Sequence, residues 1–282
     1  MIANNFHSPI PDTRNLGDDF WSRRTDLVGI DIALEGQLAL LRELSSRYGA
    51  EFNRFPLLPA KTGTGGPTFH VRNDWYGTVD AEVLHAMIRH LRPARVVEVG
   101  SGFSTLIIRD ALDANAAEGR AGRLLTIDPY PRWTEAELGG GFDLLKGPVQ
   151  EVPLETFGEL DEGDILFIDS SHILKMGSDV QFEFLEVLPR LRPGVVVHAH
   201  DVYLPGPYPR NVVEEYHHFW NEQYLVQAFL AHNSAFELLL MNHLLHLDHP
   251  ALLRELITSY DGATSGTQPS SLWLRRKVSG EN

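Results

Sequence analysis

The 282-residue chain contains no cysteine, which removes disulfides, thiolate zinc centres and cysteine nucleophiles together. It is also short of positive charge, with 24 Lys+Arg against 38 Asp+Glu and a formal net charge of −14. Nucleic acids and anionic membrane surfaces are held through basic patches, so this balance argues against both as partners. No apolar run approaches the roughly 20 residues that span a bilayer. Met1 to Asp12 lacks the basic and apolar regions of a secretory signal, and a cytoplasmic location is the expectation. Internal repeats and low-complexity tracts are missing too.

What is present reads as an α/β chain. Hydrophobic residues make up 43% of the sequence, enough for one substantial core. Residues 1–75 form an N-terminal arm and helical extension, in which Ile30, Leu34, Leu38, Leu41, Leu44 and Tyr48 recur at helical spacing. This helix offers a contact for a homo-oligomer. The breaker-rich stretch PLLPAKTGTGGP at Pro56 to Pro67 superficially resembles a phosphate loop. However, Lys61 precedes the glycines and no strand leads in, so it reads as a plain loop.

From residue 76 to 282, strands and helices alternate. The pattern predicts a helix at Asp80 to Leu91, a strand at Arg95 to Val99, and a helix from about Ser104 to Leu112. Strands at Leu124 to Ile127, Phe142 to Lys146 and Asp164 to Ile168 follow, then a helix at Val180 to Leu191 and a strand at Val195 to His200. Ala235 to Met241 and Ser271 to Lys277 read as two more strands. Strands separated by helices imply parallel βαβ units, because parallel crossovers need a dozen or more residues.

Glu98-Val99-Gly100-Ser101-Gly102-Phe103-Ser104-Thr105 sits at a strand-to-helix junction. Glycines at 100 and 102 let the backbone turn tightly and approach a ligand. A dinucleotide site would place a third glycine where Thr105 stands. A strand carboxylate, Glu98, suits a cationic ligand such as S-adenosylmethionine. Asp128 ends the next strand, 26 residues after Gly102, where a carboxylate can accept both hydroxyls of a ribose. Against this stands a purely structural glycine turn.

VVEVGSGFST, LLTIDPYP, DILFIDSSH and RLRPGVVVHAHD, in this order and spacing, resemble class I S-adenosylmethionine-dependent methyltransferases, most closely the methyltransferase-24-like bacterial branch. The resemblance implies a Rossmann-like, seven-stranded, mostly parallel sheet with helices on both faces and a C-terminal antiparallel hairpin. It places Glu98, Gly100, Gly102 and Ser104 around the methionine moiety, Asp128 on the ribose, and Val149 and Gln150 near the adenine.

Asp169 ends the fourth strand and His200-Asp201 ends the fifth, so their tips meet at the crevice where open α/β sheets bind ligands. His172 lies three residues past Asp169, and His198 and His200 share one face of their strand. Three readings compete. Asp169, His200 and Asp201 bind a divalent metal that orients and acidifies a substrate hydroxyl. Related methyltransferases carry carboxylates at these strand ends; His200 departs from them and shifts preference from Mg²⁺ toward Mn²⁺, Fe, Ni²⁺ or Zn²⁺. Alternatively, His200 or His172 is a metal-free general base, or the histidines simply hold loops.

Val202 to Asn233 reads as an insertion covering the acceptor site, with Tyr203, Tyr208, Trp220 and Tyr224 as pocket walls or packing. Arg210 is either a partner for an acidic substrate group or a surface residue. His243, His246 and His249 recur every three residues but read as a solvated or partly packed face, as do His217 and His218. Trp75 either packs or closes over the cofactor. The expected activity is methyl transfer to a small molecule, by O-methylation of a sugar or natural-product hydroxyl, with N- and C-methylation open. The rivals are an NAD(P)-dependent oxidoreductase, which Thr105 and the lack of a Tyr-x-x-x-Lys pair disfavour, and a non-catalytic cofactor- or sugar-nucleotide-binding protein of the same fold.

Overall fold

The sheet is built from short runs of β-branched and aliphatic residues: β1 Arg95–Val99, β2 Arg123–Ile127, β3 Asp143–Leu145, β4 Ile165–Ile168, β5 Val196–Ala199, β6 Phe236–Met241 and β7 Leu272–Arg276. In the computed structural model, which describes residues 7–59, 66–262 and 268–278, their order is β3-β2-β1-β4-β5-β7-β6. Pairing is parallel from β3 through β5 and antiparallel between β5 and β7 and between β7 and β6. This is the expected Rossmann-like sheet. The phosphate-loop look-alike around Lys61 lies outside the described residues.

The strand order reverses between β1 and β4, and the C-terminal tips of these two strands flank the switch-point crevice. Side chains alternate across the sheet, as the period of two requires. Val96, Ile165, Phe167 and Val196 join one core cluster; Val97, Val99, Leu166, Ile168, Val197 and Ala199 join the other. Helices α2 Leu34–Phe52, α3 Asp80–Leu91 and α4 Phe103–Ala117 cover the first face. The apolar stripe of α2 (Leu38, Leu41, Leu44, Tyr48, Phe52) is spent inside this core.

Three elements differ from expectation. The strand expected at Phe142 to Lys146 shrinks to three residues at the sheet edge. The helix expected at Val180 to Leu191 forms, but winds as α-helix at Asp179–Phe182, π-helix at Glu183–Val187 and 3-10 helix at Leu188–Arg190. Third, NHLLHLDH is helical over Asn242–Asp248, and His243 and His246 are buried where a solvated or partly packed face was expected, while His249 past the helix end is half-buried. His243 is buried against the Pro269 carbonyl and His246 against the Tyr260 hydroxyl.

Ahead of α2, α1 (Asp18–Trp21) and the segment to Gly29 form a strap across the insertion after β5. The Thr25 amide donates to the Pro205 carbonyl at 2.8 Å, the Gln227 side chain donates to Thr25 Oγ1, and the His232 amide donates to the Gly29 carbonyl. Arg24 pairs with Asp248 and Arg210 with Asp18 and Glu214, so the carboxylate partners of Arg210 belong to the chain itself. Among the described residues, no helix is long and apolar enough to cross a membrane.

Candidate active site

Gly100, Asp128, Asp169 and His200 each stand one step past a strand and are still tied to the neighbouring strand by backbone. The Gly100 amide donates to the Ile127 carbonyl, Asp128 to Leu145, Asp169 to Val99 and His200 to Ile168. The sheet thus aligns the glycine loop, Asp128, Asp169 and His200-Asp201 along one edge.

The two glycines differ in what they do. Gly100 has φ +86°, a left-handed conformation, and a Cβ there would overlap the carbonyl oxygen of Asp169. The glycine loop and the tip of β4 therefore touch through a missing side chain. At Gly102 the backbone is extended and a Cβ would meet nothing within 4 Å, so the requirement for glycine by neighbouring protein atoms is confined to position 100.

Glu98 lies on the same face of β1 as Val96, and it is wholly buried beneath the loop rather than facing open space. Its carboxylate accepts hydroxyl protons from Ser104, Thr105 and Thr126, each at 2.8 Å, and Thr105 in turn accepts the Gly102 amide. Burial pushes this carboxyl up to about 8, with the three hydroxyls partly opposing the rise. Glu98 and Ser104 hold the loop in shape from below. Asp128 is committed as well: Oδ2 accepts from the Ser101 amide and hydroxyl at 2.7 Å, and Oδ1 from the Tyr130 amide. Gln150 is exposed on a 3-10 turn and donates to the Gly177 carbonyl at 3.3 Å.

At the tips of β4 and β5, Asp169, His200 and Asp201 bring potential ligand atoms within 4.8 Å of one another. His200 Nδ1 lies 3.3 Å from Asp169 Oδ1, and its Nε2 lies 3.5 Å from Asp80 Oδ2. His172 lies beside these three, with Nε2 3.3 Å from Asp169 Oδ1 and 3.4 Å from Asp201 Oδ2. Its Nδ1 is 2.8 Å from Glu222 Oε2. Both rings are buried, which opposes charge. For His172, hydrogen bonds to Asp169 and Glu222 outweigh that opposition; for His200, the charges of Asp201 and Asp169 do so. Both imidazoles are raised well above their ordinary value. Asp169 is desolvated, but the two imidazoles more than offset this and hold it well below the usual carboxylate range.

Two members of this group escaped the sequence. Asp80 is the first residue of α3; its carboxylate accepts from the Asn242 amide group and the Ser270 and Ser271 amides while facing His200. Glu222 opens helix α8 (Glu222–Leu230) inside the insertion; α8 is the eighth α-helix counting Leu154–Gly158, Asp179–Phe182 and Arg210–Glu214. An acid in a first helical turn is common on dipole grounds, so neither position carries a local signal of its role.

His198, by contrast, is a core residue. It stacks on Phe167 at 4.1 Å, bonds Tyr76 and Ser271 through Nε2, and burial lowers it to about 3. Tyr203 and Tyr208 are buried in the insertion, Trp220 packs edge-on against His172, and Tyr224 and Trp75 are exposed. The Tyr203 hydroxyl donates to Asp201 Oδ1 at 2.9 Å. Behind the Tyr203–Tyr208 pair lies a cavity of about 570 Å³ whose walls include Trp21, Arg23, Tyr208, Asn211 and His243.

The family model of the Methyltransf_24 methyltransferase domain matches residues 97–202, from the glycine-loop strand to the residue after Asp201. An uncharacterized protein of Archaeoglobus fulgidus is 34% identical over 172 residues, spanning 57% of this chain and 73% of that protein. Among solved structures, a TDP-rhamnose 3'-O-methyltransferase of calicheamicin biosynthesis is similar over 83% of this chain and 93% of its own, at 12% identity and a TM-score of 0.44. An O-methyltransferase from Bacillus cereus in complex with SAH is similar over 86% and 90%, at 13% identity and a TM-score of 0.39. The matched segment carries the glycine loop, Asp128, Asp169 and the His200-Asp201 tip, and the chain belongs to the methyltransferase-24 family of class I S-adenosylmethionine-dependent methyltransferases.

Proposed function

We propose that this enzyme methylates a hydroxyl of a small molecule, a sugar or natural product, with a divalent cation held by Asp169, His200 and Asp201. The observation that carries the reading is the charge of the buried group. Asp80, Asp169, Asp201 and Glu222 surround two imidazoles, a formal excess of two negative charges even with both rings protonated. An uncompensated excess of that size is costly in a desolvated site, and a divalent cation that displaces the proton of His200 puts two positive charges where one stood and halves it. A metal-free general base is disfavoured by the same geometry. Carboxylates face both nitrogens of His172 and of His200 and, in the absence of a cation, hold both rings in their protonated form, so neither is a free base.

The cofactor lies over the glycine loop, in the open space beside Gly102, with Gly100 fixing the loop against β4 and Glu98 supporting it from beneath. Asp128 exchanges its hold on Ser101 for the ribose hydroxyls. A bound divalent cation supplies Lewis acidity toward the acceptor oxygen. The chain itself contributes alignment: the acceptor oxygen forms a bond to the methyl carbon as the carbon–sulfur bond breaks, and the hydroxyl proton is released to water past Asp169. The insertion 202–233 walls the acceptor site, with the Tyr203 hydroxyl held on Asp201.

Calorimetry tests both halves. S-adenosylmethionine and S-adenosylhomocysteine bind and NAD does not; binding of NAD alone overturns the cofactor assignment. Turnover, read as methyl label passed from S-adenosylmethionine to a panel of hydroxylated sugars and phenols, falls by at least ~100-fold in Asp169→Ala and on chelation. A variant with full turnover, together with a parent indifferent to chelator, disposes of the cation.

A further inference from the structure

We infer that His172 is a fourth protein ligand of the proposed cation site, and that Glu222, from the insertion, is the positioning residue that aims it; this rests on the cation reading above.

The first support is the spacing. His172 Nε2 stands 3.3 Å from Asp169 Oδ1 and 3.4 Å from Asp201 Oδ2, so one nitrogen reaches two of the three proposed ligands at once. Atoms about 2.1 Å from a common ion lie about 3.0 Å apart at a right angle and about 3.4 Å apart at the tetrahedral angle. The nitrogen thus keeps the same distance from the two carboxylates as His200 Nδ1 keeps from Asp169, 3.3 Å.

The second support is the other side of the ring. Nδ1 makes a direct 2.8 Å bond to Glu222 Oε2, in a pair where His172 is 6% and Glu222 1% exposed. A carboxylate accepting from one ring nitrogen fixes the tautomer and leaves the opposite lone pair for a metal, the usual outer partner of a ligating histidine. Glu222 Oε1 has no hydrogen-bond partner, so the ring bond is the visible use of this buried carboxylate.

The third support is that the insertion grips the whole His172 loop. The amides of Asn221 and Glu222 both donate to the His172 carbonyl, at 3.0 and 3.2 Å. Asn221 Oδ1 accepts from the Leu174 amide at 2.6 Å, and Trp220 packs 4.8 Å from the imidazole. His172 is held at φ +58°, a left-handed conformation that costs a non-glycine residue about 1–2 kcal/mol. Strain of this kind persists where surrounding contacts over-determine the position.

Two imidazoles and two carboxylates shift a site away from Mg²⁺ toward Mn²⁺, Co²⁺, Ni²⁺ or Zn²⁺. The test uses the metal alone. The full chain, stripped of metal and loaded with Co²⁺, is recorded by proton NMR in water. Two far-shifted exchangeable imidazole protons are expected, His172 Nδ1–H and His200 Nε2–H, and the first vanishes in His172→Asn. Titration with Mn²⁺ shows affinity down by about 10- to 100-fold in His172→Asn and Glu222→Ala. Glu222→Gln, which can still accept from Nδ1, retains most of it. Glu222→Ala adds nothing in the His172→Asn background, as required if Glu222 acts through that ring. S-adenosylhomocysteine binding reports that each variant is folded. A single shifted proton, or unchanged Mn²⁺ affinity in folded His172→Asn, overturns the inference while leaving the three-residue site. A wild-type chain that takes up no metal, or an Asp169→Ala variant that binds as wild type does, overturns the cation reading itself.

Discussion

Gly100→Ala is expected to weaken S-adenosylhomocysteine binding by at least ~100-fold and to destabilise the chain by roughly 3 kcal/mol. Two independent costs meet there. Position 100 has φ +86°, where a Cβ costs about 1–2 kcal/mol, and the added methyl would overlap a backbone oxygen of Asp169 that has no side-chain freedom with which to yield. The loop must move away from β4, and the cofactor surface moves with it. Gly102→Ala separates the two functions of the loop. Its Cβ meets no protein atom and its backbone is extended, so folding is affected by no more than ~1 kcal/mol. Cofactor affinity nevertheless falls, because the methyl projects into the proposed ligand space. Calorimetry and urea unfolding of the two variants provide the comparison. Equal effects of both on stability, or a Gly100→Ala chain that binds as wild type does, would contradict this account.

Glu98→Gln is expected to be more stable than the wild type at pH 8 and to show a flatter stability curve below it. The Glu98 carboxyl stands at about 8 in the folded chain against an ordinary 4.5. Between those values the unfolded chain releases a proton that the folded chain keeps, so stability falls as pH rises across the window, by up to about 1.4 kcal/mol per unit. Glutamine keeps the shape and an acceptor, while the hydroxyls of Ser104, Thr105 and Thr126 can rotate to suit its amide. The raised imidazoles of His172 and His200 also lose their contribution as pH rises, but they do so in both proteins and cancel in the difference. Urea unfolding at pH 5, 6.5 and 8 gives the two curves. Parallel curves would place the Glu98 charge elsewhere than beneath the loop.

The sequence shows the sheet because its signal is local. Runs such as RVVEV and DILFI are apolar on both faces, as strands of a covered parallel sheet must be, and the punctuating glycines and acids mark their tips. Even the burial of Glu98 had a local signal: it shares parity with Val96, which faces the core, so its side chain points under the helix that follows. Asp80 and Glu222 had none. They reach His200 and His172 from 120 and 50 residues away, and their meeting depends on how α3 and the insertion pack. The histidines of NHLLHLDH were legible as helical in spacing but not as buried, because burial came from Tyr260 and Pro269 further along the chain.

The strap has a consequence for where the chain can be cut. A fragment starting at residue 76 would remove α2, whose Leu38, Leu41, Leu44, Tyr48 and Phe52 belong to the same core as Trp273, and would open that core to water. A fragment starting at α2 would keep the core, yet would leave the Pro205 carbonyl, the Gln227 side chain and Asp248 without the strap groups that now meet them. Those contacts pin the segment that carries Tyr203 and Glu222 toward Asp201 and His172. A catalytic fragment is therefore expected to need the strap as well as α2, and a protease cut within the strap is expected to lower turnover from a distance.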